Sequence, residues 1–232
     1  MCKKLGILGG MGPLATADLF KKVILLTDAN CDQEHIHILI DNNTSIPDRT
    51  AHLIAEGDDP REQLIASAKR LESMGADFLI MPCNTAHNFY EAIIKEIEIP
   101  FLNMIEETSK FIAEKYAGKK IGLLATEGTC QTGVYDRAIQ KYGMELVKPT
   151  KTQKNVTDFI YDIKAGKDIT IDGFNESVEE LKNLGAEVFI LGCTELSVGY
   201  EMFKMKGNYV DPLEVIALRA IHFAGKKSLK SL

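Results

Sequence analysis

Gly75-Ala-Asp-Phe-Leu-Ile-Met-Pro-Cys83-Asn-Thr returns 110 positions later as Gly185-Ala-Glu-Val-Phe-Ile-Leu-Gly-Cys193-Thr-Glu. In both copies a glycine precedes a short apolar run, which ends in a cysteine followed by residues able to open a helix. A continuous aliphatic run of this length suits a strand buried on both faces, as parallel strands are. A fainter echo relates Lys4-Leu-Gly-Ile-Leu-Gly9 to Lys120-Ile-Gly-Leu-Leu-Ala125 at an offset of 116. The chain thus reads as one α/β unit written twice, with Cys83 and Cys193 at one structural position in each half.

The pattern continues on either side. Leu5–Leu8, Ile36–Ile40, Phe78–Met81, Ile121–Leu124 and Val188–Leu191 read as strands. Between them, residues 13–29, 60–74, 85–97, 134–142 and 174–184 fit amphipathic helices. Alternation of β and α elements implies doubly wound parallel sheets, whose sites lie beyond the carboxyl ends of the strands. Two similar lobes with the site in the cleft between them are the expected fold. The first lobe is expected over residues 1–106 and the second over 107–206, with residues 207–232 returning to the first.

Composition limits the function classes. In 232 residues, 45% are hydrophobic and 26% charged, the balance of an ordinary globular protein. A net charge of −6 with both signs interspersed gives no basic face for nucleic acid or an anionic membrane. No apolar run approaches the roughly 18 residues of a membrane-spanning helix, and MCKKLGILGG lacks the long apolar core of a signal peptide. The expectation is a cytoplasmic protein. Five widely spaced cysteines, with no Cys-x-x-Cys pair and no His-Glu-x-x-His, argue for reduced thiols rather than a disulfide framework or a metal site.

A thiol beside a helix N-terminus feels the positive end of the helix, which lowers its pKa and favours the thiolate. The free N–H groups of Asn84, Thr85, Thr194 and Glu195 can in turn hold a carboxylate. Two equivalent thiols facing one another across a cleft suit transfer of a proton from one face of a carbon to the other. Such an inversion calls for no cofactor and no metal. A buried cysteine as a small apolar filler is the plainer reading of either one alone, and the duplicated context disfavours it.

Met81-Pro-Cys83-Asn84-Thr85-Ala-His87, taken with Leu191-Gly-Cys193-Thr194-Glu195-Leu196, resembles the aspartate/glutamate racemase superfamily over essentially the whole chain. Gly9-Gly10-Met11-Gly12-Pro13 and Ser45-Ile-Pro47-Asp48-Arg49-Thr50 resemble its aspartate racemase branch in particular. Glutamate racemases typically open on Asp-Ser-Gly and carry His after the second Cys-Thr, where this chain has Gly-Gly-Met and Glu195. The resemblance implies a cofactor-independent racemase of L- and D-aspartate, with glutamate a further candidate, working as a homodimer. It implies that Cys83 and Cys193 are the acid/base thiols and that Asn84, Thr85 and Thr194 hold the α-carboxylate and amino group. Arg49 and Lys164 would bind the side-chain carboxylate, and Met11 would belong to the floor of the site.

Chemistry supports Arg49 independently, since a guanidinium offers a carboxylate a two-pronged fork and this one follows a strand in a Pro-containing loop. Lys164 reads equally as a solvated helix-end lysine. Thr126 and Thr129 could bind substrate through their hydroxyls or cap a helix. His87 would orient the first site or cap its helix, and Cys2, Cys31 and Cys130 read as non-catalytic. Rival readings stay open. Gly10-Met-Gly12-Pro13-Leu-Ala15 matches the glycine pattern of a dinucleotide-binding oxidoreductase, with Asp41 closing the next strand. A non-catalytic binding protein for acidic amino acids, a broad-specificity or hydantoin racemase and a single-thiol decarboxylase are the others.

Overall fold

Residues 2–231 are described by the computed structural model. The first half runs β1 (Leu5–Gly9), α1 (Pro13–Leu26), β2 (Ile38–Asn42), α2 (Arg49–Ile54), α3 (Arg61–Ser73), β3 (Phe78–Ile80), α4 (Tyr90–Ile94) and α5 (Met104–Lys115). The second runs β4 (Ile121–Ala125), α6 (Glu127–Thr132), α7 (Val134–Gln140), β5 (Leu146–Val147), α8 (Gln153–Lys164), α9 (Asp172–Asn183), β6 (Val188–Gly192), α10 (Thr194–Met202), β7 (Tyr209–Val210) and α11 (Pro212–Phe223). The strands form two all-parallel sheets, β2-β1-β3 and β5-β4-β6-β7. This is the two-lobed α/β architecture that the repeat implies.

The repeat is visible in backbone detail. Gly75 and Gly185 each end a helix with positive φ, +89° and +90°, a conformation that a side chain would strain. Asp77 N–H then bonds to Lys4 O at 2.8 Å, and Glu187 N–H to Lys120 O at 2.9 Å, so both central strands start in the same register against their partners. Each sheet is covered on both faces. Leu19 and Val23 of α1 with Leu213, Ile216 and Ile221 of α11 pack on one face of the first sheet, and Leu64, Leu71 and Ile93 on the other. Tyr135, Ile139 and Ile112 cover one face of the second sheet, and Phe159, Ile160, Phe174 and Leu181 the other. Burial on both faces explains why the strands read as unbroken apolar runs.

Several local expectations are corrected. The helix expected over residues 85–97 is a 3-10 turn, Thr85–Phe89, followed by the short α4. In an α-helix the His87 N–H would bond to Cys83 O. Instead the His87 ring takes that carbonyl at 2.8 Å, the His87 N–H bonds to Asn84 O at 3.1 Å, and the chain tightens. Arg49 is not in a loop: it begins α2, with Asp48 Oδ1 capping the Ala51 N–H at 2.8 Å. β2 runs two residues past Ile40 to Asn42. The return to the first lobe does not begin after Gly207. Tyr209 and Val210 pair with Phe189 and Ile190 of the second sheet, and α11 is the element that packs on α1. Glu106 lies inside α5, whose Met104 joins the first core while Ile105 and Ile112 join the second. Among the described residues no helix is long and apolar enough to cross a membrane.

Candidate active site

The carboxyl ends of the two sheets open on one cavity. It is lined by Met11, Asp48, Arg49, Thr50, Cys83, Asn84, Thr85, Thr126, Lys164, Cys193, Thr194 and Glu195. Every residue that the sequence reading assigns to catalysis or substrate binding is among these except Thr129, which bonds to two of them from behind. Thr129 and Thr126 both bond to the Thr85 hydroxyl, at 2.8 and 3.1 Å, and to each other at 3.0 Å. This triangle of hydroxyls ties the lobes together at the cleft, while Thr126 also caps α6 through the Thr129 N–H. Larger surface hollows exist, such as the groove around Phe111, Tyr116, Tyr200 and Tyr209, but neither repeated thiol reaches them.

Two donors in the cavity are conspicuous for having no partner. The Arg49 guanidinium is tethered through Nη1 to Ile46 O at 3.2 Å and Pro47 O at 2.9 Å, yet its buried Nε is unbonded. Asn84 accepts at Oδ1 from the Tyr135 hydroxyl at 2.6 Å, which leaves its buried Nδ2 unbonded. Buried polar groups are nearly always satisfied, so two orphaned donors in one cavity point to an acceptor that arrives with a ligand. Tyr135 is fully buried and reaches Asn84 from the other lobe. No local sequence signal marks it.

The second thiol departs from expectation. Cys193 caps α10 with extended backbone, yet its pKa is raised well above the ordinary range. Burial is the main cause, and the Glu195 carboxylate beside it is the next. The thiol donates to Glu195 Oε2 at 2.8 Å, an oxygen that also accepts from Thr194 Oγ1 at 3.2 Å. Glu195, read from the sequence only as a backbone donor and a departure from the glutamate racemases, is therefore a buried partner of the thiol. Its visible signal was its position directly after Cys-Thr. Lys164, the last residue of α8, brings Nζ to 3.7 Å from Glu195 Oε1. Burial works against the lysine's charge, but Cys193, Glu195 and Cys83 outweigh it and raise its pKa.

His87 organises the first thiol's loop. Its Nε2 accepts the Met104 N–H at 3.1 Å, so the proton must sit on Nδ1, which donates to Cys83 O. Burial pulls its pKa down to about 4. Below about pH 6.5 the unfolded chain protonates this imidazole while the folded protein does not, so stability falls as pH drops from about 6.5 to 4. Replacing His87 with Asn should flatten that part of the pH–stability curve by about 3 kcal/mol, measured by urea unfolding. An unchanged slope would mean that the folded imidazole is charged. Cys130 bonds weakly to Gln153 and is pushed up to about 12 by burial, as suits an inert thiol. Asp41 is engaged by Arg70 at 3.2 Å, which leaves the dinucleotide reading without its free ribose partner.

The comparisons agree with this architecture. A family profile described as Asp/Glu/Hydantoin racemase matches residues 8–220, and the chain belongs to that family. It is accordingly an isomerase acting on amino acids, with a small-molecule substrate. Among its relatives, the broad specificity amino-acid racemase RacX of Bacillus subtilis is 32% identical over 219 residues, covering 92% of this chain and 94% of that one. Among solved structures, Picrophilus torridus aspartate racemase superposes with a TM-score of 0.85 at 30% identity, over 97% of this chain and 96% of that one. This likeness fits the aspartate racemase branch. An aspartate racemase homologue from Pyrococcus horikoshii shares the fold, with a TM-score of 0.77 at 24% identity over 96% and 99% of the two chains.

Proposed function

We propose that this chain interconverts L- and D-aspartate without a cofactor, Cys83 and Cys193 serving opposite faces of the α-carbon. The observation that carries the reading is that both thiols of the repeat line one cavity with Arg49 and Lys164, two cations suited to a second carboxylate. The α-carboxylate would accept from Asn84 Nδ2 and from the N–H groups that open α10, which stabilises negative charge as the α-proton leaves. The Arg49 guanidinium and the Lys164 ammonium would hold the side-chain carboxylate. In one direction Cys83 as thiolate takes the α-proton and the Cys193 thiol delivers its own to the other face. In reverse, Cys193 must first lose its proton, and Glu195 Oε2 is the acceptor already bonded to it.

Chiral chromatography of L-aspartate, L-glutamate and L-alanine incubated with chelator-treated, pyridoxal-free protein tests this directly. Aspartate should approach the racemate. Absence of D-aspartate, or turnover that depends on added pyridoxal phosphate, would refute the proposal. A broad-specificity racemase is the second reading, favoured by the Bacillus relative, and alanine turned over as fast as aspartate would select it. The family resemblance carries the further expectation of a cytoplasmic homodimer, which light scattering checks for assembly.

The role of Glu195 has a paired signature. Glu195→Gln should slow racemisation at least about tenfold, because the thiol loses its proton acceptor. In a Cys83→Ser background the same change should speed iodoacetamide labelling of Cys193 at pH 8, followed by peptide mass, because a neighbouring negative charge that opposes the thiolate is gone. Slower labelling would show that Glu195 does not act on the thiol in this way.

A further inference from the structure

Beyond the cleft, a partly buried charge cluster joins the lobes through α1 and α10. Lys22 Nζ lies 2.6 Å from Glu201 Oε1 on α10, 3.5 Å from Asp211 Oδ2 and 3.6 Å from Asp18 Oδ2 on its own helix. The Lys22 and Asp211 side chains are each only 11% exposed. Asp211 Oδ1 meanwhile accepts from Ser197 Oγ at 2.6 Å and from the Leu213 N–H at 2.9 Å, so one carboxylate caps α11, grips α10 and faces α1. Burial raises the Asp211 carboxyl and opposes charge on Lys22, but the surrounding acids outweigh this and hold the lysine protonated.

The two helices joined here are among those that begin at the cavity. Met11 immediately precedes the N-cap of α1, while Cys193, Thr194 and Glu195 open α10, and all four line the cavity. A Cβ placed on Gly12 would stand 3.8 Å from Glu195 Oε1, so the helix starts nearly touch. At about 1.5 Å per residue, Lys22 is about 15 Å along α1 from that point and too far to meet a substrate. Ser197 is fully buried within the first turn or so after Cys193. An apolar side chain could fill the Lys22 position with less desolvation. An ion cluster is directional, which suits holding α1 and α10 in one relation.

We propose that Lys22, Asp211 and Ser197 form an interlobe latch that holds the start of α10 against the start of α1 and so positions Cys193 and Glu195 for proton transfer. The latch residues are positioning residues, and the inference rests on the two-thiol reading above. That dependence sets the test: exchange of the α-proton of aspartate with deuterated water, measured by NMR in two single-thiol backgrounds. In Cys83→Ser, where Cys193 alone exchanges, Lys22→Met should lower the rate about tenfold. In Cys193→Ser, where Cys83 alone exchanges, the same change should leave the rate within about twofold.

Lys22→Arg, which keeps the cation, should restore most of the Cys193-dependent rate. Ser197→Ala, which removes no charge, should give a smaller loss confined to the same background, and it carries the test if Lys22→Met does not fold. Equal losses in the two backgrounds, no loss in either, or failure of Lys22→Arg to rescue would overturn the latch. If each single-thiol protein folds but neither exchanges the proton of any enantiomer, the two-thiol reading itself fails, an outcome distinct from failure of the latch.

Discussion

Cys83→Ser and Cys193→Ser should each reduce racemisation about a thousandfold or more while leaving the fold intact. An alcohol is far too weak an acid to form the needed base near neutral pH, and a lost general acid–base group typically costs two to four orders of magnitude. The substitution removes little volume at either buried site, and at Cys193 a hydroxyl can take over the thiol's bond to Glu195 Oε2. Each variant should nonetheless exchange the α-proton of one enantiomer, since a single working thiolate can remove a proton and return one on its own face. The expected pairing, implied by the family resemblance, is the D-enantiomer with Cys83 and the L-enantiomer with Cys193. Because Cys193 is held protonated by burial and by Glu195, exchange that depends on it should keep rising as the pH is taken from 7 towards 10. Near wild-type racemisation in either serine variant, with folding confirmed by circular dichroism, would overturn the two-base reading.

What the sequence disclosed and what it hid divide along the range of the interactions. Strands buried on both faces write themselves as unbroken apolar runs, so Phe78–Ile80 and Val188–Gly192, with the cysteines after them, were visible, as was their duplication. The two-residue strands β5 and β7 are too short to carry a period, and the second of them kept the chain in the second lobe longer than expected. The six-residue α2 was signalled only by its cap, Asp48. The 3-10 turn after Cys83 was hidden because a side chain, His87, takes the carbonyl that an α-helix would use. Tyr135 reaches Asn84 across 51 residues, and Lys22 reaches Glu201 across 179, distances over which no motif operates. The depressed thiol pKa expected at a helix start fails at Cys193 because desolvation and a buried carboxylate outweigh the helix end.

Arg49→Ala should lower kcat/KM for aspartate by about a hundredfold, equivalent to about 2.7 kcal/mol by transition-state arithmetic. The guanidinium is held by the Ile46 and Pro47 carbonyls, so it meets a carboxylate with little further loss of freedom, and charge-assisted bonds of that kind contribute about 1.5–3 kcal/mol each. Lys164 remains in the variant but is shared with Glu195 and cannot replace the fork. The loss should be selective. A monocarboxylic amino acid such as alanine makes no use of Arg49, so its turnover, where measurable, should change little, and the preference for aspartate over alanine should collapse. Arg49→Lys should recover only part of the loss, because an ammonium offers a point charge in place of two parallel donors and lacks the tether to Pro47 O. Thermal unfolding separates binding from folding. Arg49 Nε has no partner among the protein's own groups, so removing the side chain breaks only its carbonyl contacts, and the midpoint should move by no more than a few degrees. Aspartate kinetics within about twofold of wild type would remove Arg49 from the substrate site, a twofold change being about 0.4 kcal/mol.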